Sequence, residues 1–189
     1  GEFKGVENLV GTDFADTRTG DAADNVIEGG DGDDIISGGG GNDMLFGDQG
    51  SDRFLYTVGD GNDVIEGGED AGGTDTDRVE ITATAGDTIV FNPGLNPEEF
   101  TVDINGSIGA IDASEIEELH VSGGTLAVQF TPDDDTATIT DATGGGFSLD
   151  FKGVTITGTG ALEIDALAGD DVVDASGYSG DITIFGREG

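Results

Sequence analysis

Residues 20–55 divide without a gap into nine-residue blocks: GDAADNVIE (Gly20 to Glu28), GGDGDDIIS (Gly29 to Ser37), GGGGNDMLF (Gly38 to Phe46) and GDQGSDRFL (Gly47 to Leu55). Two residues later VGDGNDVIE (Val58 to Glu66) makes another, and a degenerate block runs from Gly67 to Glu80, closing on Asp77-Arg78-Val79-Glu80. Upstream, GTDFADTRT (Gly11 to Thr19) keeps Gly11 and Asp16 but sets Arg18 where an apolar residue belongs. The sixth position of each block is acidic or Asn (Asn25, Asp34, Asp43, Asp52, Asp63), and the eighth is apolar (Ile27, Ile36, Leu45, Phe54, Ile65). A fixed short period of this kind marks a solenoid, in which each repeat packs on its neighbours.

The residues themselves say how such a block folds. A glycine-rich opening lets the backbone adopt positive φ and turn tightly, which other residues resist. Three residues then make a short strand whose eighth-position side chain points inward. Two blocks close one coil of eighteen residues, so turns on the same edge come from alternate blocks. That spacing pairs Asn25 with Asp43, Asp34 with Asp52 and Asp43 with Asp63, with Asp16–Asp34 and Asp52–Asp77 as weaker terminal pairs. A cation held between two such turns collects carboxylate and backbone oxygens from both, and Ca²⁺ takes six or more. The expected ligands are the turn residues of each block: Asn25; Gly29, Asp31, Gly32 and Asp34; Gly38, Gly40, Gly41 and Asp43; Gly47, Gln49, Gly50 and Asp52; Gly59, Gly61 and Asp63; and Asp77. About four calcium ions are expected, and Mg²⁺, smaller and strictly octahedral, should compete poorly.

The template GGxGxDxUx resembles the RTX (repeats-in-toxin) family of secreted calcium-binding proteins, over roughly residues 11–80 and again from residue 167. The resemblance implies an all-β fold, a right-handed parallel β-roll. It also implies export by a type I secretion system and folding triggered by extracellular calcium. Asn25 in place of Asp, Ala22-Ala23 within the first turn, and insertions around Tyr56 and from Glu69 to Thr74 depart from the pattern, so the first and last sites are expected to be the weakest.

Composition agrees. Of 189 residues, 41 are acidic and 6 basic, for a net charge of -35, which excludes the cationic patch that a nucleic acid requires. Crowded carboxylates oppose compaction until a cation neutralises them, which couples ion binding to folding. With 36 glycines and no Trp, the core must be thin and repetitive or braced by a cation. Absence of Cys excludes disulfides and thiol chemistry, and no apolar run reaches the length of a membrane span, so membrane insertion is not expected. Gly1-Glu2-Phe3 have the look of a cloning remnant, and the chain reads as a piece of something larger.

From Ile81 to Leu167 the register disappears into β-like runs, at 87–92, 99–105, 116–122, 125–131, 136–140, 147–157 and 161–167. At most two short helical turns are expected, at Asn96 to Glu99 and Asp112 to Glu118. Periodicity leaves open whether this segment continues the coil as a β-helix or forms a sandwich. LAGDDVVD (Leu167 to Asp174) returns to the template, with Gly169 and Asp171 as candidate ligands, and Gly186 to Gly189 resembles the opening of a further repeat. The expected organisation is therefore a lead-in strand (1–10), the calcium roll (11–80), a β-rich segment (81–166) and the start of a second repeat block (167–189).

Other polar motifs read as structural. His120 has no Cys or second His with which to build a zinc site or a triad. Glu98-Glu99, Glu117-Glu118 and Asp133-Asp134-Asp135 read as solvated acidic faces, although the aspartates could ligate calcium. The Thr-alternating runs at 136–140 and 155–159 look like ice-binding faces but suit ordinary β-propensity. Phe54-Leu55-Tyr56 is expected to close one end of the roll core. The function expected is a non-enzymatic calcium-binding structural module of a large secreted or cell-surface bacterial protein. The alternatives are an adhesive domain whose 81–166 segment binds carbohydrate, ice or another surface, and an accessory module of a secreted enzyme.

Overall fold

A computed structural model describes residues 8–69 and 75–186. The expectations placed on Gly1-Glu2-Phe3, on most of the Glu69 to Thr74 insertion and on Arg187 to Gly189 lie outside the described residues. The chain winds into two sheets. In spatial order the first holds β1 (Asn8–Val10), β3 (Val26–Asp31), β5 (Met44–Gln49), β7 (Asp63–Glu66), β11 (Ser107–Ser114), β10 (Phe100–Ile104), β9 (Thr88–Pro93), β13 (Thr125–Gln129), β17 (Ala161–Ala166) and β19 (Ile182–Gly186). The second holds β18 (Val172–Gly177), β14 (Thr136–Asp141), β15 (Phe147–Phe151), β16 (Val154–Gly158), β12 (Glu118–Ser122), β8 (Arg78–Thr82), β6 (Arg53–Thr57), β4 (Ile35–Ser37) and β2 (Thr17–Thr19).

Within the repeats, consecutive strands alternate between the sheets, and each pairs in parallel with the strand one coil away, Ile27 on Leu45 and Ile36 on Phe54. The eighth-position side chains therefore stack inward. Ile27, Ile36, Leu45, Phe54 and Ile65 are all buried, each contributing about 1.5–3 kcal/mol relative to exposure. Arg18 pairs with Ile36 at the start of the second stack, and its guanidinium turns to Asp16 (3.0 Å).

The coil continues through the middle segment. The stack of Ile36, Phe54 and Val79 runs on through Leu119 to Ile156 by parallel pairing. What hid this from periodicity is that antiparallel strands interrupt each sheet, β9–β10–β11 in the first and β14–β15–β16 in the second. The segment fills its core with Phe91, Phe100, Phe130, Phe147 and Phe151. Phe130 stacks on Phe151 (4.7 Å between centroids) and Phe91 tilts against Phe100 (5.1 Å), geometries that add to plain burial.

Three expectations are corrected. No helix occurs among the described residues. Asp112 lies in β11, paired with Val64 on one side and Thr101 on the other, and this two-sided pairing overrides the local acidic sequence. Pro97-Glu98 form only a turn, with Glu98 at φ 63°, leading into β10. Phe54-Leu55-Tyr56 do not close an end of the core. β6 lies between β4 and β8, with Phe54 and Tyr56 buried and Leu55 facing outward.

Candidate metal centres

The repeat turns line two edges of the coil. On one edge, Asp16, Asp34, Asp52 and Asp77 precede β2, β4, β6 and β8; on the other, Asn25 and Asp43 precede β3 and β5, and Asp63 opens β7. Each turn is bonded to the next by the sixth-position side chain. The backbone N–H groups of Asp16, Asn25, Asp34, Asp43 and Asp52 donate to Oδ1 of Asp34 (2.6 Å), Asp43 (2.8 Å), Asp52 (2.7 Å), Asp63 (3.0 Å) and Asp77 (2.7 Å). All the pairs suggested by the spacing are brought together.

The second carboxylate oxygen is the unusual feature. Oδ2 of Asp34, Asp43, Asp52 and Asp77 is buried and has no hydrogen-bond partner. Burial of an unpaired carboxylate is strongly unfavourable, so a row of them demands a cation. The surroundings supply the remaining donors. A Cβ on Gly29 would strike both Asp34 Oδ2 and the Gly47 carbonyl oxygen, one on Gly47 would strike Asp52 Oδ2 and the Gly67 carbonyl, and one on Gly20 would strike Asn25 Oδ1 and the Gly38 carbonyl. First-position glycines thus leave room for converging oxygens. Positive φ is required at the second and fourth positions instead, at Gly30 and Gly32, Gly39 and Gly41, Gly59 and Gly61, with Asp48 (φ 72°) taking the second position of its block. Third-position carbonyls tie the turns together: Gln49 accepts from Gly32 N–H and Asp60 from Gly41 N–H, both at 2.7 Å. A donor set made wholly of carboxylate and carbonyl oxygens suits a hard cation of calcium size.

A family model, the RTX calcium-binding nonapeptide repeat, matches residues 19–54 and 57–71 in four copies. These turns are RTX repeats. They bind calcium and make this part of the chain a calcium-binding structural module of parallel β-roll form. No curated protein and no solved structure matches the chain.

Burial dominates the electrostatics of the RTX turns. Burial is the largest cause raising the carboxyls of Asp34 and Asp43, and it pushes Asp63 up to about 6, Asp52 to about 7 and Asp77 to about 8. Neighbouring acidic groups raise them further, against single backbone hydrogen bonds that lower them.

Sequence reasoning missed a second ladder. Fifth-position side chains accept in the opposite direction, Asp24 from Asn42 N–H (2.8 Å), Asn42 from Asn62 N–H (3.1 Å) and Asp33 from Ser51 N–H (3.0 Å). The signal was there, because Asp24, Asp33, Asn42, Ser51 and Asn62 are all short polar side chains.

Gly169 and Asp171, which the template singled out, belong to a turn built on the same plan outside the matched repeats, and what sequence reasoning missed is its pairing with Asp133 to Asp135. Asp135 N–H donates to Asp171 Oδ1 (3.0 Å), Asp170 N–H donates to Asp134 Oδ1 (2.9 Å), and Gly169 (φ 130°) sits against the Asp133 carbonyl as Gly50 sits against that of Gly32. Asp133 and Asp134 are exposed, but Asp135 is buried, which corrects its reading as part of a solvated loop. Here the chain supplies its own cation. Lys152, at the tip of the β15–β16 hairpin, places Nζ 2.6 Å from Asp135 Oδ1, while the Thr131 N–H and hydroxyl both donate to Oδ2 (2.7 Å each). Burial pushes the Asp135 carboxyl up, yet Lys152 and Thr131 more than offset it and hold the group below the usual carboxylate range.

Proposed function

We propose that the chain is a non-enzymatic structural module of a large secreted or cell-surface bacterial protein, which folds and stiffens when it meets extracellular calcium. The observation that carries this reading is the row of buried carboxylate oxygens without partners. The gaps Asn25/Asp43, Asp34/Asp52, Asp43/Asp63 and Asp52/Asp77 support about four ions, held by the sixth-position side chains and by the turn carbonyls around them. RTX repeats occur in secreted bacterial proteins, which supports type I export of the parent protein. In a calcium-poor cytoplasm the carboxylates would resist compaction; outside the cell, millimolar calcium would relieve them.

His120 shares a hydrogen bond with Thr157 (2.8 Å) on the outer face of the second sheet, which links β12 to β16. The outward threonines favour the structural reading over a flat ice- or surface-binding array, because Asp150, Glu118 and His120 lie among them and Thr155 donates to Asp150 (2.9 Å).

The test is calcium titration of chelator-treated protein followed by far-UV circular dichroism, with magnesium as control. A cooperative, calcium-specific gain of β signal is expected near millimolar concentration. A spectrum already complete without calcium and unmoved by it would sink the reading.

A further inference from the structure

The sixth-position ladder does not stop where the matched repeats stop. Asp77 N–H donates to Glu117 Oε2 (2.6 Å), as Asp34 and Asp52 donate to the next Asp on the same edge. Glu117 immediately precedes β12, which pairs with β8 as β8 pairs with β6. The backbone donor is reproduced too. A Cβ on Gly67 would strike Asp77 Oδ2 and the Glu115 carbonyl oxygen, just as one on Gly47 would strike Asp52 Oδ2 and the Gly67 carbonyl. Glu115, at φ 55°, therefore presents its carbonyl where an RTX turn presents that of its first glycine.

Further carboxylates close on the same gap. Glu69, Glu98 and Glu117 each bring an oxygen to within 4.8 Å of the other two. Independently of that cluster, Asp77 is fully buried, and its Oδ2, which borders the gap, has no hydrogen-bond partner. We propose that Asp77, Glu117, Glu98 and Glu69, with the Glu115 carbonyl, form a further calcium site at the seam between the RTX turns and the middle segment. The donors are all oxygen and strongly anionic, as calcium requires. Glu98 comes from the turn between β9 and β10, so the ion fastens that turn to the last coil of the roll.

The inference rests on the calcium reading of the RTX turns, and its test separates the two. Bound calcium per chain is counted at saturation, by equilibrium dialysis and elemental analysis, for the wild type, Glu98→Gln, Glu69→Gln and Asp43→Asn. Glu98→Gln and Glu69→Gln should each lose the same ion, or bind it at least about tenfold more weakly, while keeping the others and the wild-type circular dichroism. Without calcium, both should melt no lower than the wild type, because a repelling charge has gone. Wild-type uptake in both Gln variants, with Asp43→Asn impaired, would overturn this site and leave the RTX reading intact. No uptake by the wild type would overturn both.

Discussion

The turn at Asp34 and Asp52 and the turn at Asp135 and Asp171 share a backbone plan and a hydrogen-bond ladder, yet they meet the same electrostatic problem in opposite ways. In the first, a buried carboxylate oxygen faces its neighbours bare, and the carboxyl is raised. In the second, Thr131 donates two hydrogen bonds to one carboxylate oxygen and Lys152 forms an ion pair with the other, and the carboxyl is lowered. At the other end of the coil, Asp16 takes hydrogen bonds from the Thr12 N–H (2.8 Å) and hydroxyl (2.9 Å) and an ion pair from Arg18. The turn therefore requires a cation for its buried charge, whether an ion or a side chain supplies it. Calcium is expected where no basic side chain turns to the carboxylate: Arg53 and Arg78, next to Asp52 and Asp77, pair with Glu80 and Glu118 instead. The cores differ in parallel, with one inward side chain per block, mostly aliphatic, stacked in the RTX coils and five buried phenylalanines in the middle segment.

The largest expected contrast is between the two regions on chelation. Amide exchange should accelerate across β3 to β7 while β12 to β16 keep most of their protection; uniform acceleration would erase the distinction. Next comes pH. Asp52, Asp63 and Asp77 have folded values raised from 3.8 to between about 6 and about 8, so the native state holds more protons than the unfolded one. The calcium-free fold should thus be strongest near pH 4 and weaken as pH rises to about 8, whereas calcium affinity should rise over the same window as protons cease to compete. Thermal melts with and without chelator would show the opposed slopes.

Phe130→Ala should remove about 3–5 kcal/mol by opening a cavity beside Phe151, to a similar extent with and without calcium. Asp43→Ala, which touches two gaps, should lower stability in calcium by about 1.5–3 kcal/mol and shift the calcium midpoint upward, while leaving the calcium-free chain no weaker. An unchanged midpoint would refute the pairing of Asp43 with both Asn25 and Asp63. The smallest effect is expected of Lys152→Met, about 1 kcal/mol for a half-exposed ammonium. It should make that turn newly responsive to calcium, and a melt unaffected by calcium would show that the Lys152 turn is not equivalent to the others.

The coil of the repeats was legible because its information is local: a period of nine, an inward residue at the eighth position, and partners at a constant spacing fixed the pairing of Asp34 with Asp52. Glu117 was read as a solvated face because it reaches Asp77 across an irregular interval and lacks the glycine turn that announces the others. Lys152 gave no signal at all, since its partner lies on a different strand connection and a lone lysine has no pattern. Asp112 misled because strand pairing from both sides overrode a sequence that suggested a helical turn.

The ladder spacing sets an order of folding. Successive turns on one edge are separated by 18, 18, 25 and then 40 residues. Closing the longest of these loops costs about 0.7 kcal/mol more in chain entropy than closing the shortest. Winding should therefore nucleate among the first coils and zip toward the middle segment, a vectorial assembly whose direction is written in the lengths of its loops.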